Sequence, residues 1–211
     1  MVDPALRPGW PAHLVWGPVE LHPPRRRDAE EWSRVRRANE AWLAPWEPTA
    51  AGPWAARHTP AAYRAMRRAV LRRAAMGMSL PFVVRVEGRL AGQVTIDNVV
   101  RGALRSGNLG YWIDRAVAGR GMASLAVALV CDHAFGPARL HRLQADIRPE
   151  NAPSQRLVER LGFQREGLLR RYLDIDGDWR DHLAYALLAE DLPGGVLAHW
   201  HRRSPSAGGA A

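Results

Sequence analysis

The chain has 211 residues, 47% of them hydrophobic and 24% charged, which is typical of a folded soluble domain and argues against disorder. A chain of this length can fold without disulfides or a structural metal, and its single cysteine excludes an intrachain disulfide or a cysteine-based zinc cluster. The longest apolar run, residues 125–131, is too short to span a bilayer, and no secretory signal is expected, so we predict a cytoplasmic protein without a membrane partner.

The net charge is +9, and all 30 basic residues are arginines, since the chain has no lysine. Arginine binds phosphate well, so a basic module that binds RNA or the ribosome is one hypothesis. The frequent alanine, glycine and proline also indicate a bias in base composition. Charge alone therefore does not decide the function.

The first elements predicted along the chain are a strand at residues 14–21 and two helices. The first helix begins near the capping-box pair Asp28 and Glu31 and must stop before Pro45. The second helix covers residues 61–76. This part of the chain therefore has the order β, α, α.

The connection between these two helices, residues 44–60, is unusually long and is rich in tryptophan and proline. It contains Trp46, Glu47 and Trp54. Long loops inside compact domains tend to be functional, so we expect this one to wall a binding groove.

The rest of the chain alternates strands with two helices. The strands are predicted at residues 82–87, 89–99, 109–114, 140–147, 163–175 and 178–188, and the helices from Met122 onward and at residues 152–161. Asp176-Gly177 is a strong signal for a type I′ hairpin turn. The order β α α β β β α β α β β predicts a mixed α/β domain at residues 14–192, with an N-terminal extension at 1–13 and a flexible C-terminal tail at 193–211.

The most informative unit is a strand, a glycine loop and a helix in succession. Gly119 and Gly121 allow the backbone to approach a ligand closely, and the helix that follows directs free N–H groups at it. A pyrophosphate is the kind of group that such a loop binds. An ordinary strand-to-helix turn is the alternative for this motif taken alone.

A second unit follows about thirty residues later. Asn151-Ala152-Pro153-Ser154 begins a helix that ends at Gly162. Asparagine at such a position is often only a helix cap. The occurrence of both units in this order is a more specific signal than either one alone.

Together these units resemble the GCN5-related N-acetyltransferase (GNAT) family, and within it the RimJ/RimL branch of ribosomal-protein N-terminal acetyltransferases. The resemblance covers about residues 14–191 and rests on several short motifs. These are Gly110-Tyr111-Trp112-Ile113, residues 119–123, Arg148-Pro149-Glu150-Asn151, Ser154, Gly162-Phe163, Glu166-Gly167, residues 176–182 and the loop segment 42–48.

The resemblance implies a mixed, mostly antiparallel sheet flanked by about four helices, with acetyl-CoA as co-substrate and no metal. The cofactor-binding residues that it implies are Trp112, Ile113, Ala118, Gly119, Arg120, Gly121, Met122, Ala123, Asn151 and Ser154. The loop departs from the family pattern at its first position, where Ala118 stands in place of Gln or Arg. Backbone contacts to a pyrophosphate survive this change, and Arg115 or Arg120 could supply the missing side-chain contact.

The resemblance also suggests how the acetyl group is transferred. A backbone N–H near Ile113 would polarise the thioester carbonyl, and Ser154 would donate a proton to the departing thiolate. Asp146 lies five residues before Asn151, where some relatives carry a catalytic glutamate. A solvated strand carboxylate is the alternative for Asp146, and Asp97 and Glu166 are weaker candidates for the base.

The implied acceptor is the α-amine of a ribosomal protein. The resemblance also implies that the enzyme is a monomer or homodimer and that it could associate with the ribosome. The residues predicted to bind it are Trp46, Glu47, Trp54 and Asp97. Removing the proton from an α-amine of pKa ~7.8 at pH 7.5 costs roughly 0.6 kcal/mol, against about 4 kcal/mol for a lysine amine. A site without an obvious buried base therefore favours an N-terminal amine. Acetylation of a small amine, such as an aminoglycoside or a polyamine, is the alternative.

Overall fold

The computed structural model of the chain describes residues 7–203. Its strands are β1 Leu14–Trp16, β2 Val19–His22, β3 Leu80–Val86, β4 Arg89–Val100, β5 Ser106–Ile113, β6 Arg142–Ile147, β7 Gln164–Ile175 and β8 Asp178–Leu188. Its α-helices are α1 Ala29–Ala38, α2 Glu40–Leu43, α3 Trp54–Arg57, α4 Pro60–Ala75, α5 Met122–Phe135, α6 Ala152–Arg160 and α7 Val196–Arg203. No helix within residues 7–203 is both long enough and apolar enough to cross a membrane.

The eight strands form one sheet in the order β1-β2-β3-β4-β5-β6-β8-β7. Neighbouring strands are antiparallel except for β5 and β6, which run parallel. This confirms the predicted mixed, mostly antiparallel sheet. The described residues contain seven α-helices instead of about four, because the single turn α2 lies at the end of the predicted first helix, the single turn α3 lies in the long loop at residues 44–60, and α7 lies in the predicted tail.

Helices cover both faces of the sheet, and β3 shows this most clearly. Phe82 and Val84 belong to the main core, which also contains the buried side of α5. Val83, between them, packs instead in a second cluster with Trp32 of α1 and Tyr63 of α4. A strand covered on both faces requires a continuous apolar run, which is what the sequence of β3 provides.

The predicted strand at residues 14–21 is a hairpin, not a single strand. β1 and β2 pair with each other across Gly17 and Pro18, and Gly17 has φ +53°. The predicted hairpin at Asp176-Gly177 is confirmed, since both residues have positive φ as a type I′ turn requires.

The C-terminal segment differs from the expected flexible tail at residues 193–211, and this expectation is wrong for α7. Val196 and Trp200 of α7 are buried in the main core. Asp132 of α5 caps the helix by accepting hydrogen bonds from the N–H groups of Val196 (2.6 Å) and Leu197 (3.1 Å). Residues 204–211 lie outside the described residues.

The N-terminal extension predicted at residues 1–13 packs on the domain where the structure describes it. The Trp10 ring meets the Phe82 ring edge to face at 5.3 Å, and His133 of α5 contacts the Gly9 carbonyl at 2.7 Å. Residues 1–6 lie outside the described residues.

Candidate active site

The centre of the site is an opening between the two parallel strands. β5 and β6 pair only from Ser106 to Asn108 on one strand and from Arg142 to Gln144 on the other. Beyond these residues the strands separate, and a cavity of about 580 Å³ lies at the opening. Its lining includes residues 109–112 of β5 and 145–147 of β6.

The backbone of β5 has polar groups directed into this opening. Asp114 N–H donates to the Ala91 carbonyl at 2.6 Å, so the antiparallel alternation directs the N–H and C=O groups of Tyr111 and Ile113 away from β4. The Ile113 carbonyl accepts a hydrogen bond from the Trp42 indole at 3.1 Å, which agrees with this direction. The Ile113 N–H and both backbone groups of Tyr111 can therefore meet a ligand placed between the strands.

The glycine loop follows β5 and ends at the N-terminus of α5. Gly119 and Gly121 have φ of +76° and +78°, which favours glycine at both positions. The first N–H of the turn with a backbone partner among the described residues is that of Leu125, which donates to the Gly121 carbonyl at 3.0 Å. The preceding N–H groups of the turn make this loop a suitable seat for an anion.

The loop lies outside the cavity itself. Neither Ile113 nor residues 118–123 are among the described residues that line the cavity. The Arg120 side chain is exposed and lies 3.6 Å from Glu87, which leaves it mobile enough to contact a phosphate. An extended ligand would therefore be needed to reach both the loop and the cavity.

Asn151 and Ser154 lie together at the start of α6, and both line the cavity. The Asn151 side chain accepts a hydrogen bond from the Ser154 N–H at 3.2 Å, so it caps the helix. The Ser154 hydroxyl lies 2.6 Å from the Tyr111 hydroxyl of β5. Burial raises the pKa of Tyr111, so this phenol stays protonated.

Asp146 of β6 also lines the cavity. Its carboxylate accepts hydrogen bonds from the Gln144 amide at 2.9 Å and, more weakly, from the Asn108 amide at 3.4 Å. Burial raises the pKa of Asp146, and the bond from Gln144 opposes that shift. A partly buried carboxylate of this kind is better suited to accept a proton than a fully solvated one.

His182 of β8 faces the same cavity and is almost completely buried. Its Nδ1 lies 3.0 Å from the Arg180 carbonyl. A carbonyl oxygen can only accept, so Nδ1 donates this hydrogen bond, and Nε2 is the ring nitrogen left to contact a ligand. This ring is therefore a second polar group in the cavity wall, beside Asp146.

The opposite wall is built around a buried arginine. The Arg36 side chain is 3% exposed, and its guanidinium lies between the rings of Trp54 and Trp112 at 4.8 and 4.9 Å. It pairs with the Glu47 carboxylate at 2.8 Å. Burial lowers the pKa of Arg36, and Glu47 opposes the shift, so this ion pair keeps the cation charged.

The contact between Arg36 and His58 fixes the tautomer of the histidine. Because arginine only donates, His58 Nε2 must accept the bond at 2.9 Å, and Nδ1 donates to the Trp54 carbonyl at 2.8 Å. Burial, and then the Arg36 charge, lower the pKa of His58. His58 is thus a neutral ring whose lone pair is already used.

Two of the predicted acceptor-binding residues do line the cavity. These are Trp46 and Glu47. The loop that carries them is anchored by Arg148, which donates to the Pro45 carbonyl at 2.8 Å and lies 5.4 Å from the Trp46 ring.

The other two predicted acceptor-binding residues are not among the described residues that line this cavity. Trp54 is buried behind Arg36 and donates to its backbone carbonyl at 2.9 Å, so it supports the wall from behind. Asp97 pairs with Arg73 of α4 at 2.8 Å. Acceptor binding by Trp54 and Asp97 therefore stays a prediction.

Sequence reasoning gave no role to several residues of the site. Tyr111 and His182 stand inside the motifs Gly110-Tyr111-Trp112-Ile113 and 176–182, which is the only signal that could have singled them out. Gln93 of β4 accepts hydrogen bonds from the indoles of Trp32 (2.8 Å) and Trp112 (3.0 Å) and so holds the tryptophan wall in place. A lone glutamine on a strand gives no such signal.

Comparison with known protein families identifies the family to which this domain belongs. The acetyltransferase (GNAT) domain family matches residues 19–164, which is well over half of the chain. The chain therefore belongs to the GNAT acetyltransferase family, and the predicted resemblance is confirmed. The enzyme class that this family defines, an acetyl-CoA-dependent N-acetyltransferase, agrees with the prediction.

Similar proteins point to one branch of the family. Over 105 residues, half of this chain, the sequence is 41% identical to "Probable N-acetyltransferase YjcK" of Bacillus subtilis and 37% identical to the ribosomal protein uS5-alanine N-acetyltransferase of Escherichia coli. These matches span 58% and 54% of the two relatives, a little over half of their length. The structure of Mycobacterium smegmatis RimJ in complex with CoA-disulfide is 42% identical, with a TM-score of 0.91 over 94% of this chain and 97% of that one.

Proposed function

We propose that the chain transfers the acetyl group of acetyl-CoA to the N-terminal α-amine of a protein, most specifically a ribosomal protein. The observation that carries this proposal is the opening between β5 and β6, which holds a cavity with hydrogen-bonding side chains and is bordered by the strand that precedes the glycine loop. The M. smegmatis RimJ complex and the uS5-alanine N-acetyltransferase of E. coli support it. A ribosomal acceptor also agrees with the expected cytoplasmic location.

Coenzyme A would fit the opening in one direction. Its pyrophosphate would accept hydrogen bonds from the N–H groups of the loop at residues 118–123. Its amide-rich arm would pair with the backbone groups of Tyr111 and Ile113 and complete a gap in the sheet. The thioester would then lie in the cavity beside Asn151 and Ser154.

The chemical step is a direct attack of the acceptor amine on the thioester. The nitrogen lone pair forms the new C–N bond, and the carbonyl oxygen takes negative charge that the Ile113 N–H can stabilise. The C–S bond then breaks, and Ser154 donates to the leaving thiolate. The amine loses its proton to Asp146 or His182, directly or through water.

The charge of the cavity favours a peptide N-terminus over a polycationic amine. Its charged lining residues are Arg36, Arg57, Arg148, Glu47 and Asp146. Glu47 is already paired with Arg36, and Arg148 lies 3.1 Å from Glu150, so Asp146 is the lining carboxylate that has no ion pair among the described residues. An aminoglycoside or a polyamine has several positive charges and would find too few carboxylates here, whereas a peptide brings only one amine.

The proposal is tested by measuring thiol release from acetyl-CoA with four acceptors. We expect turnover with a peptide that begins with alanine and none with the same peptide acetylated at its N-terminus, because only the first has a free α-amine. Turnover with spermine and kanamycin should be at least about tenfold slower in kcat/KM, which corresponds to roughly 1.4 kcal/mol of discrimination. Turnover confined to spermine or kanamycin would refute the peptide acceptor and leave acetyl transfer intact.

A further inference from the structure

Two hydroxyl groups from different elements meet at the cavity wall. Tyr111 Oη of β5 and Ser154 Oγ of α6 are 2.6 Å apart, and Tyr111 is the only hydrogen-bond partner of the Ser154 side chain among the described residues. Building on the function proposed above, we propose that Tyr111 is a positioning residue: it donates to Ser154 Oγ and thereby leaves the serine hydrogen free for the sulfur of coenzyme A.

The direction of this hydrogen bond follows from acidity and distance. A phenol is a stronger acid than an aliphatic alcohol, so Tyr111 is the better donor and Ser154 the better acceptor. The alternative directs the phenol hydrogen at the Ser154 backbone carbonyl, which is 3.3 Å away. That contact is longer by 0.7 Å than the one to Oγ, which makes it much the weaker of the two.

Both groups are held firmly, so the geometry does not depend on a ligand. Tyr111 packs against the main core and is paired with Val94 of β4. Ser154 is fixed through its N–H, which the Asn151 side chain caps at 3.2 Å. Without the phenol, the Ser154 hydroxyl could turn to a carbonyl of the preceding turn, as serines near helix ends often do.

Tyr111 keeps its proton throughout the reaction. The amine nitrogen forms a bond to the acetyl carbon and loses its proton to Asp146 or His182; the C–S bond then breaks, and the electron pair of that bond remains on sulfur. Ser154 donates its free hydrogen toward this thiolate, and the bond from Tyr111 strengthens that donation by polarising Oγ. Burial favours the neutral phenol, which is the form that this role requires.

The test compares Tyr111→Phe, Ser154→Ala and the double variant. Tyr111→Phe should lower kcat about tenfold, with a KM for acetyl-CoA within about twofold of the parent, because only a transition-state contact is weakened. In the Ser154→Ala background the same change should have no further effect, since there is no hydroxyl left to position.

Tyr185→Phe is the matched control. Its hydroxyl also reaches α6, donating to Glu159 at 3.0 Å, but it does not approach Ser154. Tyr185→Phe should keep the parent kcat. A lower kcat in Tyr111→Phe alone would then result from the lost orientation of Ser154 and not from a weakened attachment of α6 to the sheet. Full activity of Tyr111→Phe or Ser154→Ala, or equal losses from Tyr111→Phe in both backgrounds, overturns the inference.

A second readout needs no acceptor, so it separates this inference from the choice of acceptor. Ultraviolet titration of the bound coenzyme A thiol should show a pKa below that of free coenzyme A, and both single variants should raise it. If no amine is acetylated but this pattern is found, the acceptor proposal fails and the role of Tyr111 stands. An unchanged thiol titration in Tyr111→Phe, or no binding of coenzyme A to the parent, overturns the role of Tyr111.

Discussion

The cavity wall that contains Trp46 and Glu47 is built around Arg36. A buried guanidinium needs a counter-charge and donor partners, and here Glu47 supplies the charge while His58 accepts a further hydrogen bond. The tryptophan rings on either side keep water away from the pair. Glu47 is thus held at the cavity by a residue that no ligand needs to touch.

Glu47→Gln should destabilise the protein because it leaves the Arg36 charge buried without an anion. We expect a loss of about 2 kcal/mol in the free energy of unfolding, which is less than the loss of about 3–5 kcal/mol for a fully buried pair because Glu47 is partly exposed. Urea denaturation followed by tryptophan fluorescence measures it. Glu40→Gln, at an exposed position of α2, is the control, and equal midpoints for the two variants would contradict this role.

The residues of the site were predictable from the sequence to different degrees. Asn151, Ser154 and Asp146 stand close together in the chain, so a local motif identifies them, and the structure places all three at the cavity. Tyr111 and His182 come from distant strands and meet them only through the sheet. Asp97, on a central strand, pairs with Arg73 of α4, a contact that the sequence does not indicate.

Among the elements, the glycine loop offers the sharpest test of cofactor binding. Gly119 and Gly102 have similar positive φ of +76° and +71°, and an added Cβ would meet open space at each. Alanine at either position carries the same backbone strain of about 1–2 kcal/mol, but only Gly119 lies in the loop proposed to hold the pyrophosphate.

Gly119→Ala should therefore weaken coenzyme A binding at least about tenfold, because the new methyl group occupies the path of the phosphate. Gly102→Ala should lose similar stability and keep its affinity. Isothermal titration calorimetry measures both affinities, and thermal unfolding shows that the strain is matched. Equal affinities in the two variants would count against this loop as the phosphate site.

The elements themselves were largely predictable, because most have a clear period and strong end signals. β7 and β8 are an example: the turn at Asp176-Gly177 fixes their boundary. α7 was not predictable, since it is short, with Val196, Leu197 and Trp200 as its core contacts, and its cap comes from Asp132 on another helix. Such a helix is stabilised by tertiary contacts that sequence periodicity does not show.

At the scale of the whole molecule, buried neutral histidines set the response to acid. Burial lowers the pKa of His22, His58 and His133, each from an ordinary value of 6.5. The unfolded chain therefore binds more protons than the folded one once the pH falls below about 6.5. Stability should be lost as the pH drops from there through the lowered folded values, by at most about 1.4 kcal/mol per pH unit for each histidine.

His133→Gln tests this at one site. Its amide can still donate to the Gly9 carbonyl, as His133 Nε2 does at 2.7 Å, but it cannot titrate. Urea midpoints between pH 7 and pH 5 should fall less steeply than in the parent, because one group whose pKa burial lowers has been removed. If the urea midpoint of His133→Gln depends on pH as it does in the parent, the His133 ring does not contribute to the loss of stability in acid.

The short parallel pairing between β5 and β6 divides the sheet into two blocks, β1 to β5 and β6 to β8, joined along only three residue pairs. If the amide-rich arm of coenzyme A lies between β5 and β6, its amides would link the two strands where they do not pair with each other. Amide hydrogen exchange should then slow in both blocks on saturation, far from any atom the ligand contacts. Binding of coenzyme A would thus reduce the flexibility of the entire sheet.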